Sequence, residues 1–264
     1  MAWILAAVIW FTSLLIVMVL AGRVWWFPQP ISELAAHFDG HFVFTMALCG
    51  FFFVLAQVVL GCLVILYRSR AGRSASYAHG SKAWVIGVMA AMVLLDASLS
   101  RGAGRLWKEQ QMTPAAPGSV RIEVTGQQFA WTIRYPGADG RFGRTDPALV
   151  NDFAGNPLGL DPKDPQGADD LVVPTLLVPR GRPVEVLLRS KDVIHSFFIR
   201  ELRLKQDAVP GMQIPVKFTV TKAGRYEIVC AELCGLGHHR MRSFLEVVEP
   251  EEWEGRLRQA AANP

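Results

Sequence analysis

Cys230-Ala-Glu232-Leu-Cys234-Gly-Leu-Gly-His238-His-Arg-Met241 places two thiols, an imidazole and a thioether within twelve residues. A second imidazole stands upstream in Asp192-Val-Ile-His195-Ser-Phe. Soft sulfur ligands mixed with imidazole favour copper over hard cations. Gly235 and Gly237 let the backbone turn tightly between the ligand positions. A cluster of this kind needs a rigid support, and the residues on either side of it have the pattern of strands.

Val120-Arg-Ile122-Glu-Val124, Val184-Glu-Val186, Phe218-Thr-Val220, Tyr226-Glu-Ile228-Val229 and Phe244-Leu245-Glu-Val247-Val248 are short β-rich runs, most with alternating apolar residues. Pro136-Gly137, Pro179-Arg-Gly181, Pro210-Gly211 and Ala223-Gly224 punctuate them. Short strands with regular turn signals predict an antiparallel sandwich or small barrel over 118–249, followed by a C-terminal tail at 250–264. Between Gly137 and Leu171 the pattern lapses, and Asp161-Pro-Lys-Asp164-Pro-Gln-Gly-Ala-Asp169-Asp170 reads as a solvated surface loop. Its acids lack the spacing of an EF-hand calcium loop.

Residues 1–112 are of another kind. The runs 2–22 and 42–67 carry no charge, and each is long enough to span a hydrocarbon core as a helix. A third run, 83–100, is interrupted only by Asp96. The first run lacks a basic start and exceeds the usual apolar length of a signal peptide, so it is expected to be a retained helix. Arg68, Arg70, Arg73 and Lys82 follow the second run with no acid among them, which puts that loop in the cytoplasm. Three spans then leave the C-terminal domain outside a bacterial-type cell membrane, on the periplasmic side. Residues 1–117 hold eight bases and four acids, which accounts for the whole net charge of +4. The basic balance therefore belongs to the membrane half and does not suggest nucleic-acid binding. Asp96 reads as a helix-end residue near Arg101, Cys49 and Cys62 as helix packing, and His37 and His41 as histidines without further ligands nearby.

The ligand types alone leave several readings of the C-terminal cluster open. A Cys230–Cys234 disulfide suits an oxidising compartment but leaves His195, His238 and Met241 unexplained. A zinc site of two Cys and two His has the right count, although Met is a poor zinc ligand and a weak axial Met is a copper feature. Chance clustering is hard to sustain in a chain with four cysteines and six histidines.

The Cys230–Met241 stretch resembles the copper A motif of subunit II of the haem-copper oxidases. Ser190-Lys-Asp192-Val-Ile-His195-Ser-Phe and Leu204-Lys-Gln-Asp207-Ala-Val-Pro210-Gly211 resemble that family too, as does the hairpin at 42–100. The resemblance implies a cupredoxin-like Greek-key β-sandwich anchored by transmembrane helices, and two coppers per chain. Cys230 and Cys234 would bridge the metals, and His195 and His238 would hold one each. Met241 and the Glu232 carbonyl would be weak axial ligands. The Glu232 carboxylate would help to bind a magnesium at the interface with the catalytic subunit, and His239 would lie outside the ligand set. The implied function is electron transfer from cytochrome c to a haem-containing catalytic subunit I of a cytochrome c oxidase, where oxygen reduction and proton translocation occur. No catalytic residue is expected in this chain itself, and without a Cys-X-X-Cys-His motif no fused c-type haem is expected.

Two departures accompany the resemblance. The family's electron-accepting tryptophan corresponds to Phe129 in Gly126-Gln-Gln-Phe129-Ala-Trp131-Thr-Ile-Arg-Tyr135, so Phe129, Trp131 or Tyr135 would admit the electron. The run His79-Gly-Ser-Lys82-Ala-Trp84 lacks the acid that family members commonly place there for proton supply. That second departure keeps a copper A nitric oxide reductase subunit as an alternative. A membrane-anchored copper carrier is a further one.

Overall fold

A computed structural model of the chain describes residues 1–23, 26–74, 77 and 79–262, so parts of both interhelical loops lie outside the described residues. The chain divides into two compact units, Met1–Phe27 with Phe38–Leu106, and Pro28–His37 with Trp107–Pro264.

The first unit is built from α1 (Ala2–Ala21), most of α2 (Glu33–Leu66) and α3 (Lys82–Trp107). Among the described residues these three helices are long and apolar enough to cross a membrane. The first and second touch through small residues: Ala6 and Ser13 are buried, and a Cβ on Gly61 would come within 2.3 Å of the Trp10 indole. Two boundaries differ from the expected spans. The second helix begins at Glu33 rather than at 42, and the third runs on to Trp107. Hydropathy marks only the apolar part, whereas helical hydrogen bonding continues into polar sequence until something caps it. Ser32 Oγ accepts the Ala35 N–H at 3.0 Å, an N-cap bond at the start of α2.

The second unit is a two-sheet sandwich. Its strands are β1 (Val120–Gln127), β2 (Ala130–Tyr135), β3 (Leu171–Val173), β4 (Leu176–Pro179), β5 (Pro183–Ser190), β6 (His195–Ile199), β7 (Leu204–Ala208), β8 (Ile214–Thr219), β9 (Gly224–Cys230) and β10 (Arg242–Val248). One sheet has the order β3-β2-β1-β5-β8 and the other β4-β10-β9-β6-β7. Most pairings are antiparallel, but β1 pairs with β5 and β4 with β10 in parallel. An all-antiparallel sandwich is therefore not what forms, because connections cross between the sheets instead of joining neighbours by hairpins. Ile122, Val124, Ile133, Val186, Leu188, Phe197, Ile199, Ile228 and Leu245 are fully buried between the sheets. Each such side chain contributes about 1.5–3 kcal/mol of burial.

Three further segments complete this unit. Ile31, from the stretch before α2, is 2% exposed within the sandwich core, and its carbonyl accepts both the backbone N–H and the hydroxyl of Thr221. The stretch 250–264, expected as a tail, forms α4 (Pro250–Ala262), with Leu257 buried and Trp253 Nε1 donating to the Leu177 carbonyl. The stretch between Gly137 and Leu171, expected as a solvated loop, is tied to the outer face of the first sheet. Arg134 is buried beside Glu123 (3.2 Å) and Asp170 (3.4 Å), and Arg189 reaches Glu123 at 3.0 Å. Asp170 also accepts the Gly143 N–H, and Asp164 the Arg144 N–H. The acids of this segment thus serve backbone amides and arginines, a use that composition alone does not reveal.

Candidate metal centre

The sandwich brings the predicted ligands together at one end. His195 opens β6, Cys230 closes β9, and Met241 immediately precedes β10. Registry sets them side by side: β6 pairs with β9 so that Phe197 stands opposite Cys230, and the Cys230 N–H donates to the Met241 carbonyl. Between the last two ligands the chain makes a loop closed by a 3₁₀ turn at His238–Arg240.

All four cysteines are free, and the Cys230 and Cys234 sulfurs face each other at 3.8 Å. His195 Nδ1 lies 3.9 Å from Cys230 Sγ, and His238 Nδ1 lies 3.7 Å from Cys234 Sγ. Met241 Sδ is 3.8 Å from Cys234 Sγ, and the Glu232 carbonyl is 3.1 Å from Cys230 Sγ. His195, Cys230 and Cys234 offer donor atoms within 4.8 Å of one another, and His238 falls outside that set. His195, Cys230 and Cys234 lie within reach of a shared metal ion, and soft sulfur with imidazole suits copper. Burial, reinforced by the neighbouring Cys230 thiol, pushes the Cys234 thiol up to about 11 in the metal-free protein. Both thiols must lose a proton on binding metal, so uptake releases protons.

Asp192, which the ligand pattern did not single out, supports the centre. Its Oδ1 lies 2.8 Å from His195 Nε2, and its carboxylate also accepts the N–H groups of Gln128 and Val193. Burial acts to raise its pKa, but those hydrogen bonds outweigh burial and hold it below the usual carboxylate range. Gln128 was missed as well: its side-chain amide donates to the Cys234 carbonyl at 2.5 Å. Nearness to Phe129 and to His195 in sequence is the only signal that pointed towards either residue.

The aromatic candidates separate clearly. Phe129 is 38% exposed, and its ring lies against the ligand loop so closely that a Cβ on Gly237 would come within 2.3 Å of it. Trp131 is 4% exposed, with its ring centre 6.0 Å from that of His195. Gly126 makes room for both rings, since a Cβ there would meet His195 at 2.9 Å and Trp131 at 3.0 Å. Tyr135 is set in the core, its hydroxyl bonded to the backbone of Leu177. Glu232 and His239 are exposed, and so are Val193, Ile194, Leu233 and Leu236 beside the ligands.

A family model described as the cytochrome c oxidase subunit II periplasmic domain matches residues 120–248. The chain is 35% identical over 239 residues to the alternative cytochrome c oxidase subunit 2 of Bradyrhizobium diazoefficiens, covering 89% of this chain and 84% of that one. It is 36% identical over 147 residues to cytochrome c oxidase subunit 2 of Thermostichus vulcanus, covering 56% of this chain but only 35% of that one. Among solved structures, the periplasmic domain of subunit II of cytochrome oxidase from Bradyrhizobium japonicum aligns with 27% identity and a TM-score of 0.41, over 56% of this chain and 96% of that one.

Proposed function

This chain belongs to the cytochrome c oxidase subunit II family, with a cupredoxin-like sandwich behind helices apolar enough to span a membrane, and on that footing we propose that it is the copper A electron-transfer subunit of a cytochrome c oxidase. It would take electrons from a cytochrome c on the periplasmic side of a bacterial cell membrane. It would pass them to haems in a catalytic partner, where oxygen is reduced and protons are translocated.

The observation that carries this reading is the pairing of two free thiols 3.8 Å apart, each beside its own imidazole nitrogen. Cys230 and Cys234 would bridge two coppers, His195 and His238 would hold one each, and Met241 and the Glu232 carbonyl would be the weak ligands. When bound, such a pair supplies a one-electron carrier whose potential is tuned by the axial ligands and by burial around the sulfurs. The chain's own part is to hold these donors still. Cys230 and Met241 are fixed by strand pairing, His195 is oriented through Asp192, and the surrounding core excludes water. Phe129, exposed against the ligand loop, and Trp131 beside His195 would mark the side on which the electron arrives. The exposed apolar side chains Val193, Ile194, Leu233 and Leu236 suit contact with a protein partner. The exposed Glu232 carboxylate would be free to share a magnesium with the catalytic subunit.

Copper loading of the purified full chain tests the proposal. Two coppers per chain are expected, with electron paramagnetic resonance hyperfine structure from one electron shared over both nuclei. A single copper or a single zinc per chain would overturn it.

A further inference from the structure

The donors of the centre sit on two arms that are distant in sequence. One arm is Asp192–His195, leading into β6; the other is Cys230–Met241, from the end of β9 to the start of β10. Gln128, in the turn between β1 and β2, touches both. Its backbone N–H donates to Asp192 Oδ2 at 2.7 Å, and the other oxygen of that carboxylate holds the His195 ring. Its side-chain Nε2 donates to the Cys234 carbonyl at 2.5 Å and lies close enough that a Cβ on Gly235 would meet it at 2.8 Å. Asp192, Gln128 and Cys234 therefore form one continuous connection from the first imidazole to the second thiol.

We infer that Gln128 is a positioning residue: it locks the Cys234 arm to the His195 arm and so sets where the second thiol and His238 lie relative to the first pair of donors. The Cys234 carbonyl belongs to the Cys234–Gly235 peptide. Anchoring it restrains the backbone that aims both Cys234 Sγ and the loop to His238, which contains two glycines. A centre that exchanges electrons with little rearrangement needs its donors held to within about half an ångström. The inference rests on the reading of this cluster as a metal site, but the lock is built from protein atoms and exists before any metal arrives.

Hydrogen–deuterium exchange on the metal-free full chain in detergent tests it, in wild type, Gln128→Ala and Gln128→Glu. The reporters are the N–H groups of His238, Arg240 and Met241, which donate to the carbonyls of Gly235, Gly237 and His238. Loss of the anchoring bond should speed their exchange roughly fivefold to tenfold, the worth of one such hydrogen bond. Amides of β1 and β5 should keep wild-type rates. Gln128→Glu keeps the side chain's length but replaces the donor with an acceptor, so it should behave like the alanine variant. Wild-type exchange in Gln128→Glu, or equal loosening of the strands, would overturn the inference. In a second arm the copper-loaded variants should retain their copper but shift in midpoint potential, while a potential identical to wild type in both would also overturn it. Failure of the wild-type chain to take up two coppers would sink the copper A reading and leave the metal-free exchange result to decide the role of Gln128.

Discussion

Asp192 Oδ1 lies 2.8 Å from His195 Nε2, and the other nitrogen of the same ring faces Cys230 Sγ at 3.9 Å. One carboxylate thus selects which edge of the imidazole meets the sulfur. Removing the carboxylate charge with Asp192→Asn should weaken copper retention about 10- to 100-fold, the usual cost of losing an outer partner of a metal-binding histidine. Competition against a copper chelator measures this, and unchanged retention would take Asp192 out of the supporting role.

Cys234 and Met241 differ in what they can hold. Cys234→Ser removes a thiolate placed to bridge and should abolish the shared-electron signal. Met241→Leu keeps the buried volume and should leave two coppers bound with an altered potential. Redox titration of the loaded variants separates the two outcomes. A potential unmoved in Met241→Leu would exclude the thioether, 3.8 Å from Cys234 Sγ, from the donor set.

Ile31 ties the polypeptide before the second helix to the sandwich. It is 2% exposed, so Ile31→Ala should lower the stability of the β unit by about 2–5 kcal/mol. Denaturant unfolding followed by tryptophan fluorescence would record it. By the same argument, a fragment beginning near residue 118 should be less stable than the whole chain. A fragment as stable as the intact protein would contradict this.

Asp164 gives the insertion a dependence on acid. Its pKa lies below the ordinary 3.8, first because the Arg144 N–H donates to it. A folded-state pKa below the unfolded one contributes stability that is present above the unfolded value and disappears as pH falls through the folded value. The insertion should therefore resist proteolysis at pH 6 and become cleavable on acidification below about pH 4. Asp164→Ala should be cleaved already at pH 6, with a flatter acid profile. Identical cleavage profiles for wild type and variant would rule this origin out.

The candidate ligand types, their order and the three apolar helices were legible in the sequence, because each depends on residues close together in the chain. Cys230, Cys234, His238 and Met241 share twelve residues, and an apolar run long enough to span a bilayer needs no partner to be recognised. His195, 35 residues before Cys230, could be joined to them only by its ligand type and by family resemblance. The parallel pairings of β1 with β5 and β4 with β10 were not legible, since strand order depends on which edges meet after folding.

What the sequence by itself determined is the chemistry available: two thiols, two imidazoles and a thioether on a β-rich domain behind membrane-length helices. Only the tertiary structure decided how that chemistry is held. It set Tyr135 in the core and Phe129 on the surface, turned the acids of 136–170 onto arginines and backbone amides, and drew Ile31 into the sandwich. It also placed Gln128 between two arms 64 and 106 residues away along the chain. Hydropathy and spacing report on neighbours in sequence, whereas a hydrogen bond forms wherever packing brings donor and acceptor within about 3 Å.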